Sequence, residues 1–325
     1  MSKNRKLFAL LAFVGALVLA LGVAACGGDD DDDGDGGDTS ANLIEENPDN
    51  NGVQVTVGSK NFTEQFILGE IYAQALEAAG YDVKKQLNLG SEQIALRALE
   101  DGEIDAYPEY TSTALTSFFD IAAEDVPADA QEATEETETQ FEDLGLTVFE
   151  PTPFSSANAV GLLTERADEL GVESISDLEG TSQDLTLYGS PECRQRVDCL
   201  VGLEENYGLE FRKFTPVDIG LRYEVLDEGD ADLSILFTTD AQLSESDKYT
   251  ILEDDQQLLP AGNVLFVART ETVDEAGPDF DEVVESVQEN LSLEVLQELN
   301  ARVSLDREDP ADVAADYLSA SGYTQ

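Results

Sequence analysis

The stretch from Val53 to Gly80 admits few folds. Val53, Val55 and Val57 alternate as in a strand, Gly58-Ser59-Lys60-Asn61-Phe62-Thr63-Glu64-Gln65 reads as a loop, and Phe66, Ile67, Ile71, Tyr72, Ala75, Leu76 and Ala79 recur at helical spacing up to Gly80. A strand that runs through a loop into an amphipathic helix is the repeating step of an α/β chain. The loop lies at a helix start, where the first backbone N–H groups lack intrahelical partners and the dipole is positive. It can therefore receive an anion such as a carboxylate, with Lys60 adding a full charge. The plainer reading is that Thr63 or Asn61 caps the helix while Lys60 stays in solvent.

Strand and helix signals keep alternating. A strand is expected at 83–87, a helix at 91–101 with Ile94, Leu96, Ala98 and Leu99 apolar, a strand at 103–107 leading into Tyr107-Pro108-Glu109-Tyr110, a helix at 129–143 and a strand at 146–149. Glu150-Pro151-Thr152-Pro153 marks a break, taken as a lobe boundary. A second α/β set follows: strands at 160–163, 185–188, 211–214 and 233–237, with helices after Pro191 and at 221–228. The chain re-extends at 263–268 and closes with helices near 280–290, 293–302 and 311–320.

Whole function classes drop out on composition. The 325 residues contain no histidine, which removes Ser-His-Asp and Cys-His catalysis and the commonest transition-metal ligand together. Seventeen basic residues against 70 acidic ones give a net charge of −53, so nucleic acid is not an expected partner. An enzyme would have to work with carboxylates, lysine or tyrosine, and no carboxylate pair has distinctive spacing. No cofactor or metal is expected.

Residues 1–25 have a basic start (Lys3, Arg5, Lys6), an apolar run at 7–21 and the ending Val23-Ala24-Ala25-Cys26. This reads as a bacterial lipoprotein signal whose cleavage leaves Cys26 as a lipidated N-terminus; an uncleaved membrane anchor is the competing reading. Either way the body is exported and held at a membrane. Residues 26–52 are rich in Asp and Gly and read as an acidic disordered tether. Asp29, Asp31, Asp33 and Gly34 mimic the start of a calcium loop, but Ser40 stands where its bidentate glutamate belongs. Cys193 and Cys199 are the only other cysteines; an oxidising exterior favours a disulfide between them, and a redox role is the alternative.

Four segments occur in order: GSKNFTEQ from Gly58, DGEIDAYPEYTSTAL from Asp101, GLRYEVLDEGDADLSILFTTDAQL from Gly220 and LEDDQQLLPAGNVLFVAR from Leu252. From Val53 to the C-terminus the chain resembles the substrate-binding proteins of quaternary-amine ABC importers, which take up glycine betaine, choline, carnitine and related osmoprotectants. The resemblance implies a two-lobed α/β periplasmic-binding-protein fold, type II-like, with a ligand cleft between the lobes. Residues 53–153 would form lobe 1, 154–258 lobe 2, and 259–325 the return to lobe 1. The implied partners are a small zwitterionic or quaternary-amine ligand and the permease subunits.

By the same resemblance Lys60, with Asn61 beside it, and Arg196 fall where the family binds a ligand carboxylate. Tyr110 falls on a cage tyrosine, Thr113 on its neighbouring threonine and Phe237 on a second-lobe aromatic; Tyr107 could present a further ring to a cation. Two positions depart from the pattern. Asn158 replaces one cage aromatic, and Pro260-Ala261-Gly262-Asn263 lacks another. Aromatics from other positions, for example Tyr188 or Tyr223, could rebuild the cage, or Asn158 could hydrogen-bond a different zwitterion.

Overall fold

The computed structural model describes residues 43–325. The expected signal, Cys26, the calcium-like run and most of the expected tether lie outside the described residues. Five strands come first: β1 (Gln54–Gly58), β2 (Asp82–Gln86), β3 (Ala106–Tyr110), β4 (Leu146–Val148) and β5 (Ser155–Ser156). Five more, β6 (Asn158–Leu163), β7 (Thr186–Gly189), β8 (Lys213–Pro216), β9 (Leu233–Phe237) and β10 (Tyr249–Ile251), build a separate sheet before β11 (Gly262–Arg269) returns to the first. The sheet orders are β2-β1-β3-β11-β4, with β5 on β11, and β10-β6-β9-β7-β8. β1 is parallel to β2 and β3, whereas β11 runs antiparallel to β3, β4 and β5. The molecule is thus a two-lobed α/β protein with a cleft between lobes. The chain leaves the first sheet after Ser156, slightly later than the Pro153 boundary read from the proline pair.

The first helix, Thr63–Ala78, is buried almost all round rather than amphipathic: Ile67, Leu68, Ile71, Tyr72, Ala73, Ala75 and Leu76 are fully covered. The first sheet packs on one side of it, and helices Pro278–Gln288, Leu293–Ser304 and Pro310–Ala320 pack on the other. A helix between two layers needs apolar residues on both faces. Each large aliphatic side chain so buried contributes about 1.5–3 kcal/mol. Gly80 ends this segment at φ +100°, where a Cβ would come 2.9 Å from the Asn47 carbonyl oxygen. That close approach belongs to a docked segment. Ile44 N–H donates to Tyr323 O (3.0 Å) and Asn47 N–H to Ala79 O (3.0 Å), so the last residues of the expected tether lie against lobe 1.

Tyr107-Pro108-Glu109-Tyr110 is itself strand, later than the expected 103–107. Pro108 faces Phe266 on β11, whose carbonyl is turned away to Phe149 N–H, so the two form a non-hydrogen-bonded pair. β1 pairs with β3 only at Ala106, so the N–H that proline lacks would have no ladder partner there. The alternation of the strand then sends Tyr107 and Tyr110 to opposite faces. Tyr107 joins the cluster of Leu99, Ile104 and Phe141, whereas Tyr110 joins the core around the first helix.

Helix Glu92–Glu100 buries Ala95, Leu96, Ala98 and Leu99 but leaves Ile94 half exposed, against expectation. Short helices at Thr111–Phe118, Thr164–Leu170, Ala241–Glu245 and Thr270–Ala276 were not expected. The described residues contain no helix long and apolar enough to cross a membrane.

Candidate functional site

The interlobe cleft, of about 80 Å³, gathers the ends of several strands. β1 runs out into the Lys60–Phe62 loop and β3 delivers Tyr110 and then Thr113. From the second lobe β9 delivers Phe237, and the loop after Pro191 delivers Arg196 and Asp198.

Three rings from both lobes converge. The centroids of Phe62 and Phe237 are 5.3 Å apart across the lobes, and Phe62 stacks on Tyr110 at 6.3 Å. Protein cations lie against all three, the Phe62 centroid being 5.9 Å from the Lys60 ammonium. The Lys60 ammonium stands 4.5 Å from the Tyr110 centroid and the Arg222 guanidinium 3.9 Å from that of Phe237. Such faces attract cations through the ring quadrupole.

Each of these cations, and Arg196, has a resident carboxylate. Lys60 is buried and ion-paired with Glu109. Burial pulls its ammonium below the ordinary value although Glu109 acts in the opposite direction. Arg222 pairs with Asp240 at 2.9 Å. Arg196 binds Asp198 through Nε (2.7 Å) and Nη2, a side-on fork, and its guanidinium is held above its ordinary value because Asp198 and Glu92 outweigh burial. Its remaining edge faces the first lobe, with Nη2 3.5 Å from Thr113 Oγ1 and Nη1 3.7 Å from a Glu92 carboxylate oxygen.

Behind the rings lies a buried polar network that joins the lobes. Tyr110 Oη donates to Glu64 (2.6 Å), and Asn300 Nδ2 donates both to Glu64 (2.9 Å) and to the Thr239 carbonyl (3.1 Å). Thr239 Oγ1 is also 3.1 Å from Ser156 Oγ. Burial raises the Glu64 carboxyl, opposed by hydrogen bonds from Thr239, Tyr110 and Asn300. Burial and then Glu64 push the Tyr110 phenol well up.

The expected residues divide accordingly. Lys60, Asn61, Tyr110, Thr113, Asn158, Arg196 and Phe237 all line the cleft. Tyr107 does not: it is buried in the neighbouring core, and its hydroxyl donates to Glu109 (3.0 Å), steadying the partner of Lys60. The loop N–H groups are also committed, Lys60 N–H to Gln65 Oε1 (3.1 Å) and Asn61 N–H to Gly90 O (3.1 Å), so these two do not form an open anion cradle. Asn158 directs its amide N–H groups at Asp198, to the carbonyl (3.0 Å) and to Oδ2 (3.3 Å), and so braces the partner of Arg196. Cys193 and Cys199 are disulfide-bonded across the loop that carries Arg196.

Tyr188 and Tyr223 do not rebuild the cage. Tyr223 donates to Asp240 (3.0 Å) and packs on Tyr249, and Tyr188 packs against the same cluster. Phe62, Glu92 and Arg222 line the cleft and were not expected there; Asp198, which sequence offered only as a local charge partner of Arg196, lines it too. Phe62 occupies the N-cap of the first helix without a side-chain cap bond. An aromatic at a position that favours Ser, Thr, Asp or Asn was the available signal.

Comparison with known proteins bears on the whole described body. Residues 53–320 match the family model described as the substrate binding domain of an ABC-type glycine betaine transport system. The chain is 35% identical over 273 residues to a glycine-betaine-binding protein of Pseudomonas aeruginosa, covering 81% of this chain and 86% of that protein. It is 29% identical over 283 residues to an ergothioneine transport permease/ergothioneine binding protein of Helicobacter pylori, covering 86% of this chain and 49% of that longer one. A crystal structure of a glycine betaine/carnitine/choline ABC transporter protein superposes with a TM-score of 0.64 at 26% identity, covering 82% of this chain and 97% of that one.

Proposed function

The chain belongs to the family of substrate-binding domains of ABC-type glycine betaine transport systems, and from that membership we propose that its cleft receives a quaternary ammonium solute and passes it to an ABC permease. The observation that carries this reading is the meeting of Phe62 and Tyr110 of one lobe with Phe237 of the other. A trimethylammonium group cannot donate hydrogen bonds, so it is recognised by ring faces, each worth about 0.5–2 kcal/mol when desolvated. Rings drawn from both lobes are all in reach only when the lobes are together. Ligand therefore favours the closed form, and the closed form is the one the permease would distinguish.

Export and lipid attachment through Cys26 complete the proposal: the receptor works on the outer face of the cell membrane, on the tether that follows the lipidated cysteine. The relatives named above are solute-binding proteins, and nothing in the cleft requires chemistry on the ligand.

The test is calorimetric titration of the purified protein with glycine betaine, choline, carnitine and ergothioneine. Micromolar binding of at least one, weakened tenfold or more by Phe62→Ala, is expected. A folded protein that gives no heat with any of them would retain the fold and lose the ligand class.

A further inference from the structure

We propose that Glu92 sets the charge of the ligand's second end, so that the cleft selects a quaternary ammonium whose tail carries a hydrogen-bond donor, such as a hydroxyl, over one whose tail is a carboxylate. This rests on the quaternary-ammonium reading of the cleft. A ligand carboxylate needs a cation with free donors, and the three cations of the lining are Lys60, Arg196 and Arg222. Lys60 is held by Glu109, and Arg222 by Asp240 together with the carbonyls of Ile219 (2.8 Å) and Ile235 (3.4 Å). Arg196 gives its side-on edge to Asp198 and keeps only the end-on edge formed by Nη1 and Nη2.

Glu92 shares that edge. Its carboxylate is 3.7 Å from Nη1, at the start of helix Glu92–Glu100, and only about a tenth of the side chain is exposed. A ligand carboxylate docking end-on would come close to this like charge where little water screens it, an interaction large enough to shift affinity by tenfold or more. A hydroxyl or N–H in the same place would instead donate to Glu92. Glu92 thus turns an arginine subsite suited to carboxylates into one suited to donors, and Thr113 Oγ1, on the same edge, adds a neutral hydrogen-bonding group.

The experiment is titration of wild-type protein and Glu92→Gln with choline and with glycine betaine, at neutral pH and fixed ionic strength. Glutamine keeps the shape and removes the charge. Wild type is expected to bind choline more tightly than glycine betaine, and Glu92→Gln to tighten betaine at least tenfold while leaving choline equal or weaker. If the variant binds both with the wild-type ratio, to within twofold, Glu92 does not set ligand charge and the inference fails while the receptor reading stands. If neither compound binds either protein, with circular dichroism showing both folded, the inference fails, and the receptor reading fails with it only if carnitine and ergothioneine give no heat either.

Discussion

The Lys60 ammonium lies 4.5 Å from the centroid of the Tyr110 ring. It is fixed there by Glu109, whose carboxylate also accepts from Tyr107 Oη (3.0 Å) and from Tyr110 N–H (2.7 Å). A positive charge of the protein thus shares the ring that a cationic ligand would use. Lys60 and a trimethylammonium group repel each other, so Tyr110 can serve both only if they contact different parts of the ring.

Lys60→Met tests how strongly Glu109 holds the ammonium in place. The pair is buried, and removing one partner leaves Glu109 charged without compensation, which should cost about 3–5 kcal/mol of stability. Lys60→Met combined with Glu109→Gln should recover most of the loss. Chemical denaturation of the two single variants and the double variant measures the coupling; additive losses would show that the pair contributes nothing as a pair.

Tyr110 has two separable roles. Its hydroxyl ties Glu64 at 2.6 Å, and its ring stacks with Phe62 on the cleft side. Tyr110→Phe should cost about 1–3 kcal/mol of stability while leaving the ring. Affinity for a quaternary ammonium should then stay within about threefold, because phenyl and phenol faces attract cations comparably. Tyr110→Ala should weaken binding tenfold or more. Equal affinity losses in both variants would mean that the hydroxyl, not the ring, governs binding.

The α/β alternation was legible because apolar periodicity and turn residues report on burial along one element at a time. What burial between elements decides was not. The first helix reads as amphipathic, since nothing in its own spacing reveals that three C-terminal helices cover its other face. Tyr107 and Tyr110 read as a pair because both flank Pro108; one residue of register put Tyr107 in the core instead. Lys60 and Arg196 were legible as cleft residues, and Asp198, two positions from Arg196, was legible as its local partner; Glu109, 49 positions from Lys60, was not, because among 70 acidic residues no single one stands out. Phe62 was hidden for the opposite reason: it belongs to a loop whose polar neighbours carried the reading.

The network behind the rings predicts a pH response. Burial holds Glu64 above its ordinary value of 4.5, so over the interval from that value up to the raised one the folded protein keeps a proton the unfolded chain has released. The stability this group contributes is complete below 4.5 and is lost as pH climbs through the folded value. Glu64→Gln removes that titration and keeps one acceptor oxygen, for Tyr110 or for Asn300 but not for both, since the two donors meet different oxygens of the carboxylate; that loss is the same at every pH. The difference in unfolding free energy between wild type and variant should therefore drift in the variant's favour as pH rises from about 4.5. A difference that stays flat with pH would mean that Glu64 titrates alike in both states.

Gly262 explains why no ring stands at the return to lobe 1. It opens β11, opposite Ser156, where the chain re-enters the first lobe. A Cβ there would come 2.3 Å from Ser112 Oγ and 2.8 Å from the Ser112 backbone nitrogen. The hydroxyl could rotate away, but the nitrogen belongs to helix Thr111–Phe118, which follows Tyr110 directly. Any side chain at 262 must therefore push the crossover strand from the helix that continues the Tyr110 strand. Gly262→Ala should lower Tm by several degrees, the scale of an overpacked core position costing about 1–3 kcal/mol. It should also weaken ligand binding, because Ser112 and Thr113 line the cleft. Ser112→Gly in the same chain relieves the hydroxyl clash alone and should restore only part of the loss. Full recovery would show that the backbone contact yields, and that a larger residue at 262 could be accommodated after all.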